Sequence, residues 1–221
     1  MDKNSREHFL HALDEAAALF SSDSLREFSD ISDYEIKESE KPQVAAIAKD
    51  DPEDCFECDL SRSRVLYAKP NLKPHPLILF IAPYAECDRI FSPESQSYYS
   101  KWLSALKLEP SEVALSTIIK CPANSFSESY ANCCKHYLRD EMSSIAPKNI
   151  VILSEAASRY MTRCRDDWHS MRSGRAFSIN RIRSFCLSSP SEMINGSVSK
   201  RDVWEDLKAI AREIGIGDRI S

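Results

Sequence analysis

Apolar side chains recur along the chain in two rhythms. Between residues 5 and 20 (SREHFLHALDEAAALF) they fall at helical spacing, which predicts an amphipathic helix within an N-terminal segment of residues 1–20. Residues 21–54 lose that periodicity, are rich in Ser, Asp, Glu and Lys, and read as a flexible acidic linker. From residue 55 short apolar runs alternate with helical stretches. His75-Pro76 leads into LILFIAP (77–83), a run that fits a buried strand ending at Pro83. SYYSKWLSALKL (97–108) reads as a helix, VALSTIIK (113–120) as a second strand and ANCCKHYLRDEMSSI (131–145) as a second helix. NIVILS is a third strand, EAASRYMTRC continues as helix, and RIRSFCLSS (181–189) is a fourth strand. A last helix opens at a cap on Ser199 and stops at Gly215. Strands alternating with helices predict an α/β fold: a three-layer α/β/α sandwich on a short, mainly parallel four-stranded sheet. Ligands on such sheets bind outside the carboxyl ends of the strands, here the loops after Phe80, Lys120, Ser154 and Leu187.

Length sets the domain count. With 221 residues, the chain holds one α/β domain (55–217) behind its N-terminal extension. Hydrophobic residues make up 43% and charged residues 29%, enough for a packed core. No run of about 18 apolar residues exists to span a bilayer, and MDKNSREHFL has no apolar h-region. The expectation is a soluble, cytoplasmic, monomeric protein without a membrane partner.

The net charge of −5 hides a split. Residues 1–54 carry 15 Asp and Glu against 6 Lys and Arg, and the remainder carries 19 against 23. A weakly basic body is compatible with nucleic acid but does not argue for it alone. Seven arginines lie between Arg159 and Arg183, and they read equally as a solvated face or as a phosphate-facing surface.

Eight cysteines in a chain without a leader point to metal rather than to disulfides. Cys55-x2-Cys58 puts two thiolates on one tight turn. Cys121 and the Cys133–Cys134 pair offer sulfurs to complete a tetrahedral set, and sulfur count does not separate zinc from an iron–sulfur cluster.

Several stretches together carry a family resemblance: CFECDLSRSRV, IIKCP, CCKHYL, PKNIVIL and KRDVWEDLK. Over roughly residues 55–215 they resemble the iron–sulfur uracil-DNA glycosylases of families 4 and 5. There the same stretches run as a CxxC turn, VVKCRPP, CxPFL, PKxIVLLG and KRxVWxDLK. The resemblance implies a [4Fe-4S] cluster on Cys55, Cys58, Cys121 and Cys134, with zinc in the same ligands as the alternative. Cys134 is preferred over Cys133 because Lys-His-Tyr-Leu after it lines up with x-Pro-Phe-Leu. It also implies a uracil-DNA-glycosylase-like fold, DNA as partner and base excision repair as context: hydrolysis of the N-glycosidic bond of a base flipped out of the stack.

The pocket motifs depart from the family. GEAPG is replaced by Phe80-Ile81-Ala82-Pro83-Tyr84, the Asn of the second strand by Thr117, and the His of HPS by Ser189, within Ser188-Ser189-Pro190-Ser191. Ile81, Ala82 and Ser189 therefore hold the family's catalytic positions without its catalytic groups. Ile81 alone does not end catalysis, because family 5 also carries an aliphatic residue there. By the same resemblance Pro83, Tyr84, Phe91, Thr117 and Ser189 would form the base pocket, with Phe91 either stacking on a flipped base or packing in the core. Arg172, Arg175, Ser188, Pro190 and Ser191 would contact DNA. Glu86 and Asp88 either orient a water or sit on a solvated loop, and His169 reads as a surface residue rather than a base. Residues 1–173 contain no glycine, so the family's Gly-rich turns are filled with side chains.

Three functions follow. The first is a divergent, DNA-associated family member with uracil excision lost or altered. The second is an active glycosylase with changed base preference. The third is a non-enzymatic iron–sulfur interaction protein whose N-terminal helix engages a protein partner.

Overall fold

The computed structural model describes residues 52–63 and 67–220. The expected helix within residues 1–20 and most of the acidic linker lie outside the described residues, while Pro52–Asp54 at the linker's end form a single 3-10 turn.

Each apolar run became a strand. β1 (Ile78–Ala85), β2 (Val113–Pro122), β3 (Asn149–Leu153) and β5 (Ile182–Leu187) are mutually parallel, and β4 (Phe177–Ile179) is antiparallel to β5. The order is β2-β1-β3-β5-β4, so the sheet has five strands rather than four. The fifth comes from a two-residue hairpin: Asn180 and Arg181 both take positive φ (50° and 65°), the handedness that returns one strand onto the next. Ile78, Leu79, Phe80 and Ile81 are all at most 1% exposed, because helices cover both faces of the central strands, while Ser178 of β4 and Arg183 of β5 at the far edge are exposed.

Seven helices are described: α1 (Asp59–Ser63), α2 (Pro93–Ala105), α3 (Glu128–Ile145), α4 (Glu155–Thr162), α5 (Trp168–Arg172), α6 (Pro190–Ile194) and α7 (Lys200–Glu213). α2 and α7 pack on one face of the sheet, through Tyr99, Trp102, Val203 and Leu207 against Phe80, Val151 and Phe185. α3 and α4 pack on the other, through Leu138, Met142, Ala157 and Tyr160 against Leu79, Ile81, Ile150 and Ile152. This is the expected three-layer sandwich. The helix starts follow local chemistry. Ser92, Ser154, Asp167, Ser189 and Ser199 each cap a helix by accepting a backbone N–H with the side chain. Among the described residues no helix is long and apolar enough to cross a membrane.

Candidate functional site

The strand order reverses between β1 and β3. Connections leave the two strands in opposite directions there, the position at which such sheets bind ligands at their carboxyl ends. Tyr84 of β1, Ser154 after β3 and Ser189 after β5 stand at that end of the sheet. Ser154 holds φ at 82°, a conformation that costs a non-glycine residue energy. It is fixed by its N–H to Leu187 O (2.8 Å) and by its hydroxyl, which caps α4 at Ala157 N (3.3 Å).

Ser189 is spent on structure. Its hydroxyl accepts from Glu192 N (3.3 Å) while the Glu192 carboxylate accepts from Ser189 N (2.7 Å), a reciprocal capping box that opens α6 with Pro190 in its first turn. The Ser191 hydroxyl lies 3.0 Å from that of Ser189, and Ser189 itself is 2% exposed. The pattern S-P-S-E signals this box in the sequence, and reading Ser189 as a continuation of the strand overlooked it.

Glu192 is the group that sequence reasoning missed. It belongs to no family motif, yet the capping box holds its carboxylate at the carboxyl end of the sheet, where the Glu155 N–H also bonds to it. Burial raises its pKa above the ordinary carboxylate range, against the lowering effect of those N–H donors. The half-buried phenol of Tyr84 is raised first by burial, then by the negative charges of Glu86 and Glu192. Tyr84 thus lies in the field of two carboxylates. Glu86 is not a solvated loop residue: it accepts from Ser92 N (2.9 Å) and ties the β1–α2 loop to the start of α2.

The other expected pocket residues are distributed differently. Ile81 is sealed in the core beneath α3 and α4, and Ala82 and Pro83 are buried in β1. Thr117, 1% exposed, pairs in register with Ala82. Phe91 is 2% exposed and packs at 5.2 Å on Tyr99. It also lines a cleft of about 870 Å³ with Asp88 and Tyr99, beside the cysteine turn, and this cleft includes neither Tyr84 nor Ser189.

The residues expected to contact DNA differ in exposure. Arg172 is 8% exposed and faces Asp206 of α7 (3.2 Å) at the edge of the core. Ser188 and Pro190 are buried as well, which leaves Arg175 and Ser191 able to reach solvent. Of the seven arginines, Arg159 is bound to Glu155, Arg175 to Asp166 and Arg183 to Glu213, and Arg163 lies over the Tyr160 ring. His169 is exposed.

The cysteines lie where the turn, the end of β2 and the first turns of α3 meet. Cys58, Cys121 and Cys134 are buried, Cys55 and Cys133 partly so, and all are free thiols. Burial pushes the Cys134 thiol up to about 12; the Lys120 backbone N–H opposes this, and the charges of Cys121 and Cys58 add to it. Tyr137 hydrogen-bonds to Cys55. Among the described residues no three His, Cys, Asp or Glu groups stand as a metal ion requires. Cys134 feels the charges of Cys121 and Cys58, and Cys133 those of Cys58 and Cys55; thiols are the donor type that a thiolate-ligated centre uses. Beside it Lys120, 1% exposed, reaches Glu141 of α3 (2.6 Å) and Ser116 (2.8 Å), a buried polar triad that no sequence signal announced.

A mainly parallel sheet in the order 2-1-3-5-4, covered by helices on both faces, is a doubly wound α/β fold. The family model described as Uracil DNA glycosylase superfamily matches residues 69–208, and the chain belongs to that superfamily. No curated protein matches the chain.

Proposed function

We propose that this chain is a DNA-associated member of the superfamily, held by a [4Fe-4S] cluster, in which uracil excision is lost or altered. The observation that carries the reading is the commitment of Ser189. Its hydroxyl caps α6 and its side chain is buried, so it offers nothing to a leaving uracil anion. Ile81 lies in the core and Thr117 inside the sheet, which supports the same conclusion for the two other replaced positions. Cys55, Cys58, Cys121 and Cys134 would hold the cluster. When bound, it would supply a crosslink between the N-terminal turn, β2 and α3.

A second reading, an active glycosylase with changed base preference, is favoured by Glu192. A carboxylate with a raised pKa at the switch point is a candidate general base. In that reaction the water oxygen bonds to C1′ of the sugar as the C1′–N bond breaks. The bond's electron pair leaves with the base, and the water's proton goes to the carboxylate.

Single-turnover excision on single-stranded and duplex DNA carrying uracil, hypoxanthine or xanthine decides between the two. The first reading expects no cleavage with salt-dependent DNA binding retained. Cleavage of hypoxanthine or xanthine establishes the second, and efficient cleavage of uracil overturns the first. Neither cleavage nor binding overturns both and leaves the interaction protein.

A further inference from the structure

Phe56 stands between the two cysteines of the turn and is 71% exposed, the one large hydrophobic side chain so exposed among the described residues. At that exposure the ring face is open for a partner to stack on. It lines the cleft of about 870 Å³ introduced above, whose deeper wall is Phe91 and Tyr99, both at most 4% exposed. Tyr99 brings a buried hydroxyl without a hydrogen-bond partner. Arg62, Lys69 and Arg89 line the cleft against the carboxylates of Glu53 and Asp88, a balance of one positive charge, and Asn71 and Gln96 line it as well. Arg62 meets Asp59 only in an open pair (3.3 Å, side chains 65% and 85% exposed), which solvent screens heavily. Arg89 has no ion pair among the described residues. Asn71 is rigidly placed, because its N–H and C=O both bond to Leu115 of β2 (2.9 Å each).

An exposed ring, two arginines and two amides in one cleft suit a ligand with aromatic faces, hydrogen-bonding edges and negative charge. We propose that this cleft is a single-strand subsite, where an unstacked base of DNA lies on Phe56 and its flanking phosphates meet Arg62 and Arg89. The inference rests on the reading that the chain binds DNA, and it names the form bound. A duplex keeps its base faces covered by neighbouring pairs, whereas a single strand offers them. The volume falls within the ~300–1,000 Å³ of sites that bury one small ligand, so it takes one or two nucleotides and not a helix. The cysteine turn, as the element carrying Phe56, acquires a part in binding as well as in folding.

The test is fluorescence anisotropy of the full-length protein with a labelled 12-nucleotide oligo-dT and a 12-base-pair duplex, each across a salt series. Wild type is expected to prefer the single strand. Phe56→Ala should weaken oligo-dT binding about ten-fold with the salt slope unchanged, and Phe56→Trp should restore it with quenching of the new indole on binding. Arg62→Gln with Arg89→Gln should lower the salt slope by about 1.4, the share of two phosphate contacts on a single strand. Equal iron content and visible absorption in each variant exclude an indirect effect through the turn. If wild type binds DNA and Phe56→Ala binds oligo-dT as tightly, the subsite is wrong and the DNA reading stands. If wild type binds neither oligonucleotide, both fall, and Phe56 belongs to a protein contact.

Discussion

The Lys120 ammonium sits 2.6 Å from the Glu141 carboxylate, with the two side chains only 2% and 11% exposed. Ser116 donates to the same carboxylate oxygen (2.5 Å) and accepts from Lys120, so charge and hydrogen bonds close on each other between β2 and α3. Burial draws the lysine's pKa down and Glu141 opposes it. Such a pair is expensive to break and cheap to replace. Lys120→Met should cost about 3–5 kcal/mol by leaving Glu141 unpaired, while Lys120→Met with Glu141→Leu should return most of it. Urea denaturation of both variants checks this.

Arg172 and Asp206 should respond to pH. Burial outweighs Arg172 and raises the Asp206 pKa to about 6 from 3.8. A folded-state pKa above the unfolded one means that the folded chain binds more protons between those values. Stability from this group therefore falls as pH rises from about 4 to about 6, and returns on acidification. Asp206→Asn should flatten that part of the stability–pH curve.

Ser189→Ala should cost about 1 kcal/mol of stability through loss of the α6 cap, and leave DNA affinity unchanged. A serine that worked on the base would show the reverse, and thermal melts beside binding isotherms separate the two. Glu192→Gln keeps a cap acceptor while removing the base, so any cleavage that persists in it excludes Glu192 as the general base.

Cys134→Ser should abolish the brown colour of anaerobically purified protein, and Cys133→Ser should retain it. Cys134 is 2% exposed in the group with Cys121 and Cys58, whereas Cys133 is more open. Because burial holds the Cys134 thiol protonated to about pH 12, loading metal must release a proton there. Reconstitution should accordingly be favoured by higher pH, as followed by absorbance.

Gly174→Ala should destabilise by about 1–3 kcal/mol. The residue has φ of +75°, and an added Cβ would come within 2.9 Å of the Ala209 Cβ on α7. The packing of α7 on this turn, and no property of DNA, demands glycine here.

Much of the layer structure was legible because burial on both faces writes itself as continuous apolar runs, such as LILFIAP and NIVIL. β4 escaped because three residues, Phe177–Ile179, carry no periodicity, and only the positive φ of Asn180 and Arg181 makes the hairpin. The site was less legible. Arg172 looks like any surface arginine until Asp206 arrives from 34 residues away, and the Lys120–Glu141 pair joins a strand to a helix with no short-range pattern. Glu192 could have been found, since Ser-x-x-Glu before a short helix states its own geometry.

The bridge between Asn71 and Leu115 has one more consequence. β2 is the outermost strand on its side of the sheet, and its sequence VALSTIIK is apolar and β-branched, the composition that recruits other strands. The segment at Asn71 occupies backbone groups at the middle of that edge. Anything that frees this segment uncovers a template for self-association, so its release would be seen as turbidity.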